Sequence, residues 1–133
     1  MNLVKHQVIY WFPVYIYMII IFYFSSLPNV FVYMPQVIKP FFMSISDIIY
    51  HILEYMVLGF LLYRALLKSE FKNAIALAII IAILYGFIDE IHQLFVPSRI
   101  FSLLDVLSNS FGAIVVQSII DIKNGLCLKK ISL

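Results

Sequence analysis

Four long apolar runs constrain this chain more than any other feature; they are approximately Val8 to Ser25, Ile48 to Leu67, Ala74 to Val96 and Leu103 to Ile122. A helix that crosses the roughly 30 Å of hydrocarbon in a bilayer needs about 20 residues, and all the runs are close to that length. Each must be helical, because an open strand would leave backbone groups without hydrogen bonds in lipid. The sequence therefore predicts an all-α membrane protein, with four transmembrane helices in a compact bundle.

The composition agrees with this fold class and excludes others. Hydrophobic residues make up 64% of the 133 residues and charged residues 12%, whereas a soluble domain is about half apolar and a quarter charged. The net charge is only +2 and no RNA-binding motif is present, so we expect no nucleic-acid partner. The single cysteine, Cys127, excludes an internal disulfide and a cysteine metal cluster. We expect residues 1–133 to form a single domain, because no repeat or boundary interrupts them.

The first apolar run follows Lys5, as the apolar part of a signal peptide would. It is long, rich in Tyr and Phe, and without a small-x-small cleavage site, so we expect a spanning helix instead. We expect Pro13 near the start of this helix, where a missing amide hydrogen costs least. The longest connection, Leu27 to Ser46, contains three prolines and is expected to dip into the membrane interface. Short turns are expected at 68–73 and 97–102, and a short basic tail from Lys123.

The distribution of basic residues predicts the orientation of the bundle. Most of the nine fall on one side of the four-helix path, namely Lys5, Arg64, Lys68, Lys72, Lys123, Lys129 and Lys130. Lys39 and Arg99 fall on the other side. Because short cytoplasmic loops carry the excess of Lys and Arg, we predict that both termini are cytoplasmic. The long first connection and the turn at Pro97 would then face outward from the plasma membrane.

Polar side chains concentrate in the outer halves of the second, third and fourth predicted helices and in the turn between the last two. They are Asp47, His51, Glu54, Asp89, Glu90, His92, Gln93, Arg99, Asp105 and Asn109. Because successive helices alternate in direction, these positions reach the same depth, and we predict that they form an outward-facing polar pocket. Ionisable residues inside a membrane are candidates for function.

Helical spacing sharpens this prediction. Three sets of residues, three or four positions apart, each share a helix face: Asp47, His51 and Glu54; Asp89, His92 and Gln93; Asp105 and Asn109. On the third helix, Ala78, Ala82 and Gly86 form a line at spacing four that ends at Glu90. Small residues at this spacing let membrane helices approach closely, so Glu90 should point at a neighbouring helix.

Structural roles are the alternative for several of these residues. Asp47 and Asp105 each follow a serine by three positions, which resembles a capping box. His51, His92 and Asn109 could serve only as hydrogen-bonding groups between helices, and Arg99 could pair with a headgroup or a carboxylate.

Glu54 fits a structural role least well. An unpaired carboxylate at its depth costs roughly 3 kcal/mol. It should therefore be protonated or partnered by His51, His92 or Arg99.

Three segments, SSLP, DIIYHILEYMVLGFLL and DEIHQLFVPSRIFSLLDVLSNSFGA, resemble in this order the VanZ-like family of small bacterial membrane proteins, from Trp11 to about Val116. The third is the most specific, with DE-x-HQ, a Pro-x-Arg turn and D-x-x-x-N. The family's namesake lowers susceptibility to teicoplanin, so the resemblance implies a role at the bacterial cell envelope, near peptidoglycan or its lipid-linked precursors. By matching position, the family's polar residues are the ten named above. Ser98 departs from the pattern, because many relatives should carry Gly there.

Three functions are consistent with this pattern. In the first, the pocket binds a lipid headgroup, a lipid-linked cell-wall precursor or a lipoglycopeptide, with Arg99 on phosphate or carboxylate. In the second, the protein is an intramembrane enzyme in which Glu54 or Glu90 acts as a general base. His51 or His92 would then pass protons or hold a metal, although we expect no cofactor. In the third, the polar residues only fix helix register or bind a partner protein. The oligomeric state stays open.

Overall fold

The chain folds into four helices, as the apolar runs predict. The computed structural model describes residues 3–28 and 39–131, and the side-chain surroundings of residues 8–28 and 47–126. The helices are α1 (Leu3–Ser25), α2 (Lys39–Lys68), α3 (Ala74–Gln93) and α4 (Leu103–Ile131). Each contains a segment that is long and apolar enough to cross a membrane. The fold is therefore an all-α membrane bundle.

Hydrogen bonds between distant residues define the two ends of the bundle. At one end, Trp11 Nε1 donates to Ser69 Oγ over 2.9 Å, which joins the early part of α1 to the turn after α2. At the other end, Gln93 Nε2 donates to Ser25 Oγ over 3.0 Å, which joins the last residues of α3 and α1. We call the first the basic end, because Arg64 and Lys68 lie there, and the second the polar end. Successive helices run in opposite directions between these ends.

The core lies around α2, which contacts each of the other helices. It is built from apolar side chains such as Ile21, Tyr55, Leu58 and Leu62. Large apolar side chains also cover the outside of the bundle, among them Ile19 and Leu84. In a bilayer this outer surface contacts lipid and needs no further burial.

Small residues allow the helices to approach closely. The predicted line on α3 is confirmed, because Ala78, Ala82, Gly86 and Glu90 are all buried. A Cβ atom on Gly112 of α4 would collide with the backbone of Ile52 on α2. These two helices therefore nearly touch, one residue away from His51.

Two predicted helix starts are wrong. Helix α1 begins at Leu3, so Pro13 lies inside it and not near its start. A membrane helix tolerates an internal proline, because local adjustments and neighbouring groups satisfy the freed carbonyl. Helix α2 begins at Lys39, so residues 39–46 are helical and Asp47 lies well inside the helix. Asp47 therefore has no capping role at the start of α2. The rest of the predicted long connection, 29–38, lies outside the described residues.

Two predicted helix ends also differ. Helix α3 ends at Gln93, and the following residues form a tighter turn in which Val96 N–H donates to Gln93 O over 3.1 Å. Helix α4 continues to Ile131, so the segment predicted as a basic tail is helical through that residue. The short turns predicted at 68–73 and 97–102 are confirmed.

Candidate functional site

The polar end brings together most of the residues that the sequence singles out. The buried members are His51, Asp89, Glu90, Gln93 and Asn109. Glu54, His92, Arg99 and Asp105 are half-buried, and Asp47 is exposed. Because α3 presents different residues to α1 and to α4, the hydrogen bonds of the described residues fall into two groups. Their role in binding stays a prediction.

One group joins α3 to the end of α1. Gln93 Nε2 donates to Ser25 Oγ, and the Ser26 hydroxyl and His92 Nε2 form a hydrogen bond of 3.0 Å. The Ser26 hydroxyl donates its single hydrogen to Phe22 O over 2.6 Å, so His92 is the donor through Nε2. The His92 ring also stacks on Phe22, with 4.2 Å between ring centroids. His92 therefore forms a hydrogen bond between helices, which is the structural role that the sequence indicates as the alternative.

A second group joins α2, α3 and α4. Ser102 precedes α4, and its Oγ accepts a hydrogen bond of 3.2 Å from the Asp105 backbone N–H. The Ser102 backbone N–H donates to Glu90 Oε2 over 3.2 Å. Ser102 thus caps α4 as predicted, but the second half of the capping box comes from Glu90 of α3 and not from the Asp105 side chain. Glu90 points at a neighbouring helix, as the line of small residues predicts.

The capping arrangement leaves the Asp105 carboxylate to face His51. His51 Nε2 and Asp105 Oδ2 lie 3.8 Å apart, which is an ion-pair distance when the imidazole is protonated but is too long for a hydrogen bond. His51, Glu90 and Asp105 each offer one potential metal-ligand atom, and these atoms all lie within 4.8 Å of one another. Three helices therefore supply a nitrogen and two oxygen donors to one small volume.

Several buried polar atoms at this end have no hydrogen-bond partner within the described part of the chain. They are His51 Nδ1, Tyr55 Oη, Asp89 Oδ1, Glu90 Oε1 and both side-chain polar atoms of Asn109. The Glu90 side chain belongs to a fully buried residue, and Asn109 is 1% exposed. A buried polar group without a partner costs about 1–3 kcal/mol. The polar end thus holds hydrogen-bonding capacity that the described part of the chain does not use.

Glu54 has a different partner from those predicted. Tyr50, one helical turn earlier on α2, donates its hydroxyl hydrogen to Glu54 Oε1 over 3.3 Å. Tyr17 of α1 donates to the Glu54 backbone carbonyl over 3.2 Å. The described hydrogen bond of the Glu54 carboxylate is thus with Tyr50 and not with His51, His92 or Arg99, while the other alternative, a protonated Glu54, stays a prediction. The i, i+4 spacing of Tyr50 and Glu54 on one helix is the signal that reveals this pair.

Arg99 lies in a tight turn between α3 and α4. The Arg99 backbone N–H donates to Val96 O over 3.1 Å, and Ser98 has a φ of 64°. With Pro97 in the second position and a positive φ in the third, this is a type II turn, which explains why Gly is expected at 98. The Arg99 Nε donates to Leu27 O over 3.2 Å. Arg99 also interacts electrostatically with Asp47 and Glu90.

Four residues of this end were not identified as site residues from the sequence. Ser25, Ser26 and Ser102 supply hydroxyl groups to the contacts above, and the Tyr55 hydroxyl is buried beside them. Tyr55 follows His51 by one helical turn, so helical spacing could have indicated it. The capping-box pattern indicated Ser102 as a helix cap, whereas no spacing indicated Ser25 and Ser26, because their contacts depend on which helices are neighbours.

The profile of one protein family, VanZ/LLP1, matches residues 9–124. This match covers all four helices and confirms the resemblance inferred from the sequence. No curated protein and no solved structure matches the chain.

Proposed function

The chain belongs to the VanZ/LLP1 family, and on this premise we propose that it is a cell-envelope protein of the bacterial plasma membrane that binds the polar head of a lipid-linked or peptidoglycan-related molecule. The binding site would be the polar end, facing outward. Binding of this kind would lower teicoplanin susceptibility by changing what the lipoglycopeptide meets at the membrane surface.

The observation that carries this proposal is the concentration at the polar end of buried polar atoms without hydrogen-bond partners; among the described residues, the one such atom elsewhere is Gln117 Oε1, further along α4. A network that only fixed helix register would be hydrogen-bonded, as Gln93 and Ser25 are. Glu90 Oε1 and the Asn109 amide are buried without such bonds. A ligand rich in hydroxyl, amide or phosphate groups would supply their partners and offset a desolvation cost of about 1–3 kcal/mol for each group. The purely structural reading leaves that cost unexplained.

The surroundings suit an amphiphilic ligand. Arg99 lies in the turn between α3 and α4 at this end and interacts electrostatically with the Asp47 and Glu90 carboxylates. Its planar guanidinium fits phosphate or carboxylate oxygens in a two-point contact. Phe95 and Ile100, on either side of the turn, are among the most exposed apolar residues of the structure. They would sit at the membrane interface, where the polar head of a lipid meets its chain.

Binding of labelled precursors tests this proposal. Purified protein in lipid nanodiscs is titrated with a polyprenyl-pyrophosphate-linked sugar, with teicoplanin and with a neutral diacylglycerol. We expect saturable binding of an anionic amphiphile. We also expect Arg99→Gln to weaken binding by about tenfold, because it removes a charge-assisted contact. Arg64→Gln is the matched control, since Arg64 lies at the basic end over the Tyr10 ring. Failure of the wild type to bind any member of the panel would refute the proposal.

The orientation is tested separately. Cys127→Ser removes the native thiol, and cysteines then replace Ser98 in the α3–α4 turn or Glu70 in the α2–α3 turn, both of which are exposed. We expect a membrane-impermeant maleimide to label the cysteine at 98 in intact cells and the cysteine at 70 only after permeabilisation. The reverse labelling would place the polar end on the cytoplasmic side and would refute an outward-facing site.

An intramembrane enzyme is the second candidate, favoured by the close set of His51, Glu90 and Asp105. Glu54 and Glu90 would be its acid–base residues, with His51 or His92 passing protons. The same labelled precursor separates the two functions. Time-dependent conversion to a new product indicates an enzyme, and binding without conversion indicates a binding protein.

A further inference from the structure

We propose that His51, Glu90 and Asp105 form a binding site for a divalent transition-metal ion of the Zn²⁺ type. This rests on the proposed function in one respect, because the open position of the metal would face the bound headgroup. The site is built by α2, α3 and α4 and does not include His92, the other histidine of the polar end.

The helical register brings the three ligands into one layer. Each lies one turn from a residue of the next layer: His51 from Tyr55, Glu90 from Gly86, and Asp105 from Asn109. A Cβ atom on Gly86 would lie 3.0 Å from the Tyr55 ring and 3.1 Å from the Asn109 side chain. Gly86 therefore lets α3 approach α2 and α4 closely. The approach holds the layer above it, with the three donor groups, in a narrow space.

The distances suit a metal ion better than a hydrogen bond. His51 Nε2 and Asp105 Oδ2 are 3.8 Å apart. Two ligand atoms on a tetrahedral zinc ion, each about 2.0–2.1 Å from it, are about 3.4 Å apart. A small rotation of either side chain closes this difference. The three donor atoms all lie within 4.8 Å of one another, so side-chain rotations that bring them to about 3.4 Å apart would let one ion bind all three.

Burial and hydrogen bonding indicate that the donors are prepared for a ligand. His51 is buried and Glu90 is fully buried, and Glu90 Oε1 has no hydrogen-bond partner in the part of the chain that the structure describes. Glu90 Oε2 accepts the Ser102 N–H, which fixes the carboxylate and leaves the other oxygen for a metal. Because Glu90 completes the cap of α4, the Asp105 carboxylate is not used there. A cation would stabilise this set of two acidic groups and an imidazole, of which His51 and Glu90 are buried and Asp105 is half-buried.

The donor set selects the class of metal. Ca²⁺ needs six to eight oxygen ligands and Mg²⁺ a near-octahedral oxygen shell. An imidazole with two carboxylates is typical of zinc, manganese or iron instead. Three protein ligands also leave one position of a zinc ion open. That position can take an oxygen of a phosphate or carboxylate, which is the chemistry proposed for the headgroup.

The test measures metal binding by the whole protein in detergent, without any lipid ligand. Protein stripped with a chelator is titrated with Zn²⁺ alone, and with Mn²⁺ and Mg²⁺ in parallel. We expect one Zn²⁺ per chain, a rise in the thermal midpoint, and the absorption bands of a tetrahedral ion when Co²⁺ replaces zinc. Removing a residue that hydrogen-bonds to a metal ligand lowers metal affinity about 10- to 100-fold. Asp105→Asn changes a ligand itself, so we expect it to weaken Zn²⁺ binding by more than about 100-fold.

Asp121→Asn is the matched control, because Asp121 is an exposed acidic residue further along the same helix. It should bind Zn²⁺ like the wild type. Equal loss in both variants, or a wild type without stoichiometric Zn²⁺, would overturn the metal site. Circular dichroism and elution volume show whether Asp105→Asn is folded, and His51→Gln gives a second folded variant if it is not. If the stripped protein still binds the lipid-linked ligand, the proposed function stands while a metal requirement falls. If Zn²⁺ binds but no headgroup does, the metal site stands and the proposed function falls.

Discussion

The two ends of the bundle use their polar residues differently. At the basic end, Trp11 is hydrogen-bonded to Ser69, Asn124 Nδ2 donates to Tyr63 over 3.2 Å, and Arg64 lies 5.1 Å from the Tyr10 ring. These groups are half-buried or exposed, and they have partners. At the polar end, the polar groups are more deeply buried, and several of their atoms have no hydrogen-bond partner among residues 8–28 and 47–126. The first arrangement stabilises the fold, whereas the second carries a stability cost that a ligand would offset.

The largest difference in unfolding free energy between variants at the two ends should appear where α2 and α4 nearly touch. Gly112→Ala places a methyl group against the Ile52 backbone near the polar end. Overpacking costs about 1–3 kcal/mol and sometimes more, and we expect the upper part of that range because the obstacle is backbone. Gly125→Ala, near the basic end, meets no atom within 4 Å. It should raise stability by up to about 1 kcal/mol through helix propensity. Unfolding in mixed micelles measures both, and equal effects would contradict the close approach of α2 and α4.

A smaller difference should separate two serines that accept hydrogen bonds from long side chains. Ser25→Ala removes a hydroxyl that is hydrogen-bonded to the buried Gln93 amide and to the buried Asp89 carboxylate, and should cost about 1–3 kcal/mol of unfolding free energy. Ser69→Ala releases the Trp11 indole near the basic end, where water can replace the hydroxyl, and should cost about 0.5 kcal/mol. Thermal or denaturant unfolding of the two variants gives the comparison. A larger loss for Ser69→Ala would show that the basic end is the drier one.

The smallest changes in stability should come from glycine substitutions in the two turns, and they should be equal at both ends. Ser98 and Glu70 both have positive φ, 64° and 62°, in exposed turns. Glu70 ends α2 in a Schellman motif, in which Phe71 N–H donates to Leu66 O over 3.1 Å. A left-handed conformation costs a residue other than glycine roughly 1 kcal/mol. Glycine at either position should therefore add somewhat less than about 1 kcal/mol, because it also loses more freedom on folding. Unequal gains would mean that one of these turns is held by further contacts.

The helices could be predicted from the sequence because their cause is local. Apolar runs of membrane-spanning length require helices whatever the neighbours are. Their starts could not be predicted as well. Helix α1 passes through Pro13, and α2 begins before the serine and Asp47 that resemble a cap. Both starts depend on the environment of the chain at the membrane surface, and not on the residues of the cap alone.

The depth of the candidate site could also be predicted, since it follows from the position of each residue along its helix. Which side chains meet could not. Glu90 reaches the Ser102 backbone, and His92 meets Ser26, because of the distances and rotations of the packed helices. Gly112 allows one such short distance, because a Cβ atom at this position would clash with the Ile52 backbone once α2 lies against α4. Sequence spacing gives the face of a helix and does not identify the residue opposite.

If the buried polar groups of the polar end serve a ligand at the expense of stability, replacing Asn109 should separate the two roles. Asn109→Leu keeps the branched shape of the side chain and removes two buried atoms that have no partner among the described residues. We predict a rise of about 1 kcal/mol in the unfolding free energy together with loss of ligand binding. Asn124→Leu at the basic end should leave binding intact and stability no higher. A clear loss of stability in Asn109→Leu, with binding retained, would contradict the account.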